Sequence, residues 1–209
     1  MASMLKKEAK EITGGLSAPG KMPGPSYNLP AWACITGSKL AKIPGTICNK
    51  CYAKKGRYNF PNVKAALSRR LKSLKHPQWT EAMTVLITGH DHFRWHDSGD
   101  LQSVQHLKKI FEVCNNTPET SHWLPTREAE ILQSASSCKP ANLVIRVSAS
   151  KIEGRAPSFW PWTSTVVIRD SANYGATKRM CPAPEQDGKC GACRNCWDPA
   201  VENVAYAQH

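Results

Sequence analysis

The chain has 209 residues, nine cysteines and a formal net charge of +12. A chain of that length buries enough apolar surface to fold without covalent staples, so the cysteines are free for other chemistry. No charged-then-apolar leader opens it and no apolar run reaches bilayer length, which argues against export and against a membrane partner.

We therefore expect a soluble cytoplasmic protein, in a reducing compartment where cysteines serve metals more than disulfides. The expected fold class is α/β with a mostly parallel sheet, as an open or incomplete barrel. One domain over residues 1–209 would comprise an irregular Gly/Pro-rich entry region (1–60), an α/β core (61–170) and a cysteine-rich C-terminal loop (171–209).

The charge is concentrated at one end. Up to Lys75 there are 15 Lys or Arg against only Glu8 and Glu11, whereas the remainder has 13 basic and 14 acidic residues. A basic half of this kind can meet nucleic acid or a small anionic substrate, offset buried thiolates, or simply be solvated.

In chain order, residues 1–45 carry many Gly and Pro and no sustained periodicity, so irregular covering structure is expected there. Pro61 suits a first helical position, and Val63, Ala66, Leu67, Leu71 and Leu74 follow at helical spacing. A second helix is expected from Pro77, with Trp79, Met83, Leu86 and Ile87 on one face, ending at Gly89. FRWHD (Phe93 to Asp97) then reads as a strand, Val104 to Cys114 as a helix, and SHWL (Ser121 to Leu124) as the next strand. Thr126 is placed to cap a helix running towards Cys138. NLVIRVS (Asn142 to Ser148) and STVVIRD (Ser164 to Asp170) are apolar enough to be buried on both faces. Such alternation implies right-handed crossovers, and four clear strands are too few for a closed eightfold barrel.

Active sites of parallel sheets lie beyond the carboxyl ends of the strands. Those ends read His96-Asp97-Ser98-Gly99-Asp100, Thr126-Arg127-Glu128, Ser148-Ala149-Ser150 and Arg169-Asp170-Ser171. His90 and His92 precede their strand and are expected at the opposite end, as solvated loop residues.

The cysteines sort into three classes. Cys114 and Cys138 fall where packing residues belong and are expected to be inert. Cys34, Cys48 and Cys51 lie in the entry region. Cys181, Cys190, Cys193 and Cys196 form C-x8-C-x2-C-x2-C, a spacing closer to cubane iron–sulfur ligation than to paired zinc knuckles. We expect one or two 4Fe-4S clusters on these seven thiols, with zinc as the alternative for the C-terminal four. Three thiolates at Cys34, Cys48 and Cys51 would leave one iron open as a Lewis acid, with His96 or Asp97 as general base and Arg127 holding an anionic group. In a different class, a zinc knuckle with the basic half on phosphates would make a nucleic-acid-binding module without catalysis, in which Trp32, Tyr52 and Tyr58 could stack bases. A small anionic substrate is favoured over that reading.

CNKCYAKKG (Cys48 to Gly56), WHDSGDLQS (Trp95 to Ser103) and CPAPEQDGKCGACRNC (Cys181 to Cys196) together resemble a phage family named after mycobacteriophage gene product eighty-eight. The likeness covers most of the chain beyond residue 20 and implies a cluster and an α/β fold, without a settled activity. More distantly it resembles the radical-SAM enzymes, in which a three-cysteine loop ending in Cys-Tyr holds a 4Fe-4S cluster beside an incomplete barrel. That resemblance implies SAM as an alternative ligand of the open iron. It gives Ser98, Gly99 and Asp100, in the place of the family's Gly-Gly-Glu-Pro turn, and Tyr52 a cofactor-contacting role. The third thiol stands fourteen residues before Cys48 here and the Gly-Gly-Glu-Pro turn is absent.

Overall fold

The computed structural model describes residues 4–169, 171 and 179–208. Asp170, one of the polar residues expected at the sheet's rim, lies outside them. Six strands form one all-parallel sheet in chain order, β1 (Ser26–Tyr27), β2 (His92–Trp95), β3 (Ser121–Thr126), β4 (Leu143–Ser148), β5 (Thr163–Val167) and β6 (Asn203–Ala207). The sheet is open, not closed into a barrel. The helices are α1 (Lys6–Thr13), α2 (Ile35–Leu40), α3 (Pro61–Ser73), α4 (Trp79–Ile87), α5 (Val104–Asn116) and α6 (Ala129–Gln133).

The helices expected at Pro61 and Val104 form there, and the one expected from Pro77 begins two residues later, at Trp79. Pro61 occupies the first turn of α3. The Ser103 hydroxyl caps α5 by accepting from the His106 amide at 3.1 Å. Thr126 does not cap a helix. It ends β3, and α6 begins only at Ala129, because the Thr126 hydroxyl is given to the Asp100 carboxylate and to the Glu128 amide.

Two elements depart from the expected irregular entry. α1 forms and ends at Gly14, whose φ of 78° is the left-handed geometry that glycine adopts without penalty. β1 is only two residues long, yet Tyr27 is fully buried. Its hydroxyl meets Thr13 O at 2.7 Å, Ser73 Oγ at 2.8 Å and Trp79 Nε1 at 3.2 Å, tying α1, α3 and α4 to the first strand. Periodicity could not reveal a strand fixed by one side chain. β6 was likewise unanticipated, since it follows the cysteines and starts after a Pro-containing turn.

The two faces of the sheet differ in kind. Phe93, Trp95, Leu124, Leu143, Ile145 and Val147 pack against α4 and α5 in the main core. The opposite face presents Trp123 and Val204, with Arg94 and Arg146 at alternate positions of their strands, and it is covered by the C-terminal cysteine segment through Cys196, Trp197 and Val201. Cys114 is fully buried in the main core, as its periodicity requires. Cys138 is exposed: α6 stops at Gln133, so the apolar stripe never reaches it.

Candidate functional site

Cys34, Cys48 and Cys51 are carried by short turns stacked over the carboxyl ends of β3 and β4. Cys34 precedes α2, and Cys48 sits in a 3-10 turn (Ile47–Lys50) whose Thr46 hydroxyl accepts from the Asn49 amide at 3.2 Å. The turn is pinned to the segment after β4, where the Ile47 amide donates to Ser150 O at 3.0 Å and the Ile152 amide to Gly45 O at 3.1 Å. From the end of β3, Glu128 grips the start of α2, accepting from the Thr36 amide at 2.9 Å and its hydroxyl at 2.7 Å. The loop is therefore built onto the sheet's rim by hydrogen bonds to residues that are distant in sequence.

Between the thiols stands Gly37. A Cβ there would lie 3.6 Å from both Cys34 Sγ and Cys48 Sγ and only 3.0 Å from Cys34 Cβ. The missing side chain keeps the space between two sulfurs clear. Burial pushes the Cys34 thiol up to about 12, with Asp100, Cys51 and Cys48 adding to it. Burial also raises Cys48, while Arg127 and Lys54 oppose the rise. Asp100 is itself buried, and desolvation brings its pKa up to about 6 despite hydrogen bonds from Thr126 Oγ1 at 2.6 Å and the Arg127 amide at 2.9 Å.

The second group lies on the face of the sheet opposite the main core. Cys181 runs alongside β6, its amide donating to Ala205 O at 2.8 Å, and Cys190 is held by Lys21 O at 2.9 Å. Cys196 Sγ is 3.2 Å from Tyr206 Oη, and burial pushes that thiol up to about 12. Arg146, fully buried in β4, organises the segment. Its guanidinium reaches Asn195 O at 2.7 Å, Val201 O at 2.9 Å, and Cys196 O and Asp198 O at 3.0 Å. No carboxylate pairs with it among the described residues, so a buried cation stands beside the thiols.

Arg94 connects the two groups. It pairs with Asp97 Oδ1 at 2.8 Å, lies 4.4 Å over the Trp123 ring and meets Met22 Sδ at 3.4 Å. Burial works against its charge, but the Asp97 carboxylate holds it protonated, and it acts in turn on Cys181, Cys190 and Cys196. Asp97 also accepts from Tyr58 Oη at 2.5 Å, and its backbone oxygen accepts from Tyr52. A lone arginine in each of FRWHD and NLVIRVS was the available signal for Arg94 and Arg146, because an apolar strand buries a guanidinium only for a reason.

The residues expected after β2 separate. Asp97 stays at the surface side with Arg94. His96, at φ 61°, turns inward: it is 2% exposed, its Nδ1 faces Tyr27 O at 3.2 Å, and its ring lies 5.3 Å from that of His106. Burial lowers it to about 4, so it offers no accessible base to the rim. Ser98 and Gly99 lock onto Leu29. The Ser98 hydroxyl donates to Leu29 O at 2.8 Å, and a Cβ on Gly99 (φ 80°) would strike Leu29 Cβ at 2.5 Å. Arg127 stands near Cys48, its Nε 3.4 Å from Ala149 O. His90 and His92 fall at the amino end of β2, where His92 packs edge-on against Trp197 at 5.4 Å.

All nine cysteines are free thiols, and among the described residues no three His, Cys, Asp or Glu side chains stand close enough to share one ion. Two thiolates on a single tetrahedral zinc, with Zn–S of about 2.3 Å, must approach within about 3.8 Å of each other. Among the described residues no helix is long and apolar enough to cross a membrane.

Residues 3–199 match the family model described as Gene product 88. No curated protein and no solved structure matches the chain.

Proposed function

The chain belongs to the Gene product 88 family of phage proteins, and from that premise we propose that it is an iron–sulfur enzyme. In this reading Cys34, Cys48 and Cys51 hold a 4Fe-4S cluster at the sheet's rim, and Cys181, Cys190, Cys193 and Cys196 hold a second one on its face. The observation that carries it is the meeting of thiols from separate turns around Gly37, where the position of a single Cβ is 3.6 Å from both Cys34 Sγ and Cys48 Sγ. A cluster spreads its thiolates over several irons, and so suits donors more widely spaced than those of one zinc ion. Half-buried Arg94 and fully buried Arg146 offset the negative charge that thiolate ligation brings.

Held by only three protein thiolates, such a cluster would supply Lewis-acid chemistry of the kind that hydrolysis uses. The chain's own residues do the rest. Arg127, beside Cys48, holds an anionic group of the substrate. Asp97 is the candidate base that solvent reaches, and Arg94 and Tyr58 fix its carboxylate. The runner-up places SAM on the same position, favoured by the open parallel sheet running in chain order with thiols at its carboxyl end.

Anaerobic purification with iron and sulfide analysis tests the reading. About eight irons per chain support two clusters and about four support one. Stoichiometric zinc without sulfide overturns it and leaves the knuckle as a zinc site.

A further inference from the structure

Between Glu11 and Glu81 the sequence has no acidic residue at all. The rim lobe lies inside that interval, and its short turns pack on one another from Ala31 to Asn59. Six exposed cations lie in that stretch: Lys39, Lys42, Lys50, Lys54, Lys55 and Arg57. With Phe60 at its edge, the same lobe holds five of the eight exposed large hydrophobic side chains among the described residues. Trp32 is 65% exposed, Phe60 at its edge is 54% exposed, and the Tyr52 ring also faces solvent while its hydroxyl meets Asp97.

The geometry points to single-stranded nucleic acid as the polymer that this lobe binds, with phosphates on the lysines and bases stacked on Trp32 and Phe60. Interleaved cations and exposed aromatic faces are what an unpaired strand requires, since every base has a face to stack. A duplex hides those faces and is read by a helix or ribbon long enough to enter a groove. Here the longest element inside the lobe is α2, with six residues. An anionic membrane surface matches the charge, but membrane-surface helices present one continuous apolar face, whereas these aromatics sit on separate turns. This names the substrate class for the rim site proposed above, yet it stands on surface charge and exposed rings rather than on iron.

The test is fluorescence anisotropy on the full chain, with labelled single-stranded DNA and RNA homopolymers of about 20 nucleotides, a duplex of equal length and anionic phosphatidylserine vesicles. Iron content is measured on the same samples. Single strands should bind more tightly than duplex, and the DNA and RNA arms decide which sugar is preferred. Trp32→Ala and Phe60→Ala, both at the surface, should each weaken binding about fivefold to a hundredfold with an unchanged circular dichroism spectrum. Lys50→Gln with Lys54→Gln should flatten the salt dependence by about 0.7 per lysine in log–log slope. Equal affinity for duplex, indifference to both aromatic substitutions, or preferential binding to vesicles through the same residues overturns the inference. Failure here with iron present leaves the cluster reading standing, and binding without iron separates the two the other way.

Discussion

Replacing Arg146 with Met should release the C-terminal cysteine segment from the sheet. Three of the carbonyls that Arg146 serves, those of Asn195, Cys196 and Val201, have no other hydrogen-bond donor among the described residues. A buried acceptor left unpaired costs about 1–3 kcal/mol, and removing the buried cation recovers part of that because its desolvation disappears. The net loss should be about 3 kcal/mol, a large fraction of a typical domain's stability. Arg146→Lys keeps the charge but cannot reach carbonyls on both sides of the segment, so it should recover little. Urea unfolding gives the magnitude, and maleimide labelling of Cys190 and Cys193 reports whether the segment has lifted. A loss below about 1 kcal/mol, with thiol labelling unchanged in both variants, would refute the assignment of Arg146 as the organising residue.

Three further outcomes can be measured directly. Gly37→Val should lower iron content at the rim site while the knuckle's share remains, because its Cβ would stand 3.6 Å from both sulfurs; full iron loading would contradict that. Stability should fall as pH drops from about 6.5 towards 4. Burial lowers His96 to about 4, His122 to about 3, and His106 as well, so the unfolded chain takes up protons first in that window. Asp100, raised to about 6, acts in the opposite sense, gaining stability as it protonates, but it stands against three histidines. A flat unfolding profile across the window would argue against neutral buried imidazoles. Cys114→Ala with Cys138→Ala should leave iron intact, at a cost on the order of 1 kcal/mol from Cys114 and almost none from exposed Cys138. Loss of colour in the folded double variant would make one of them a ligand.

The parallel α/β class, the helices beginning at Pro61 and Val104, the existence of the helix after Pro77, and the polar character of the strand ends were legible in the sequence, because each rests on local periodicity or on a residue's fixed backbone preference. The division of seven cysteines into two groups was legible too, since spacing alone separates them. Tertiary structure decided what spacing cannot carry. β1 exists because the Tyr27 hydroxyl collects three helices, and β6 because the segment after the knuckle finds an open edge at β5. His96 leaves the rim because a left-handed φ turns its ring inward, where it packs 5.3 Å from that of His106 and faces Tyr27 O. The cysteine knuckle settles on the sheet's face because Arg146 donates to its carbonyls and Trp123 gives it an apolar floor there. Arg94 becomes the link between the thiol groups only once β2 lies between them. Such roles depend on neighbours distant in the chain, so no window of sequence contains them.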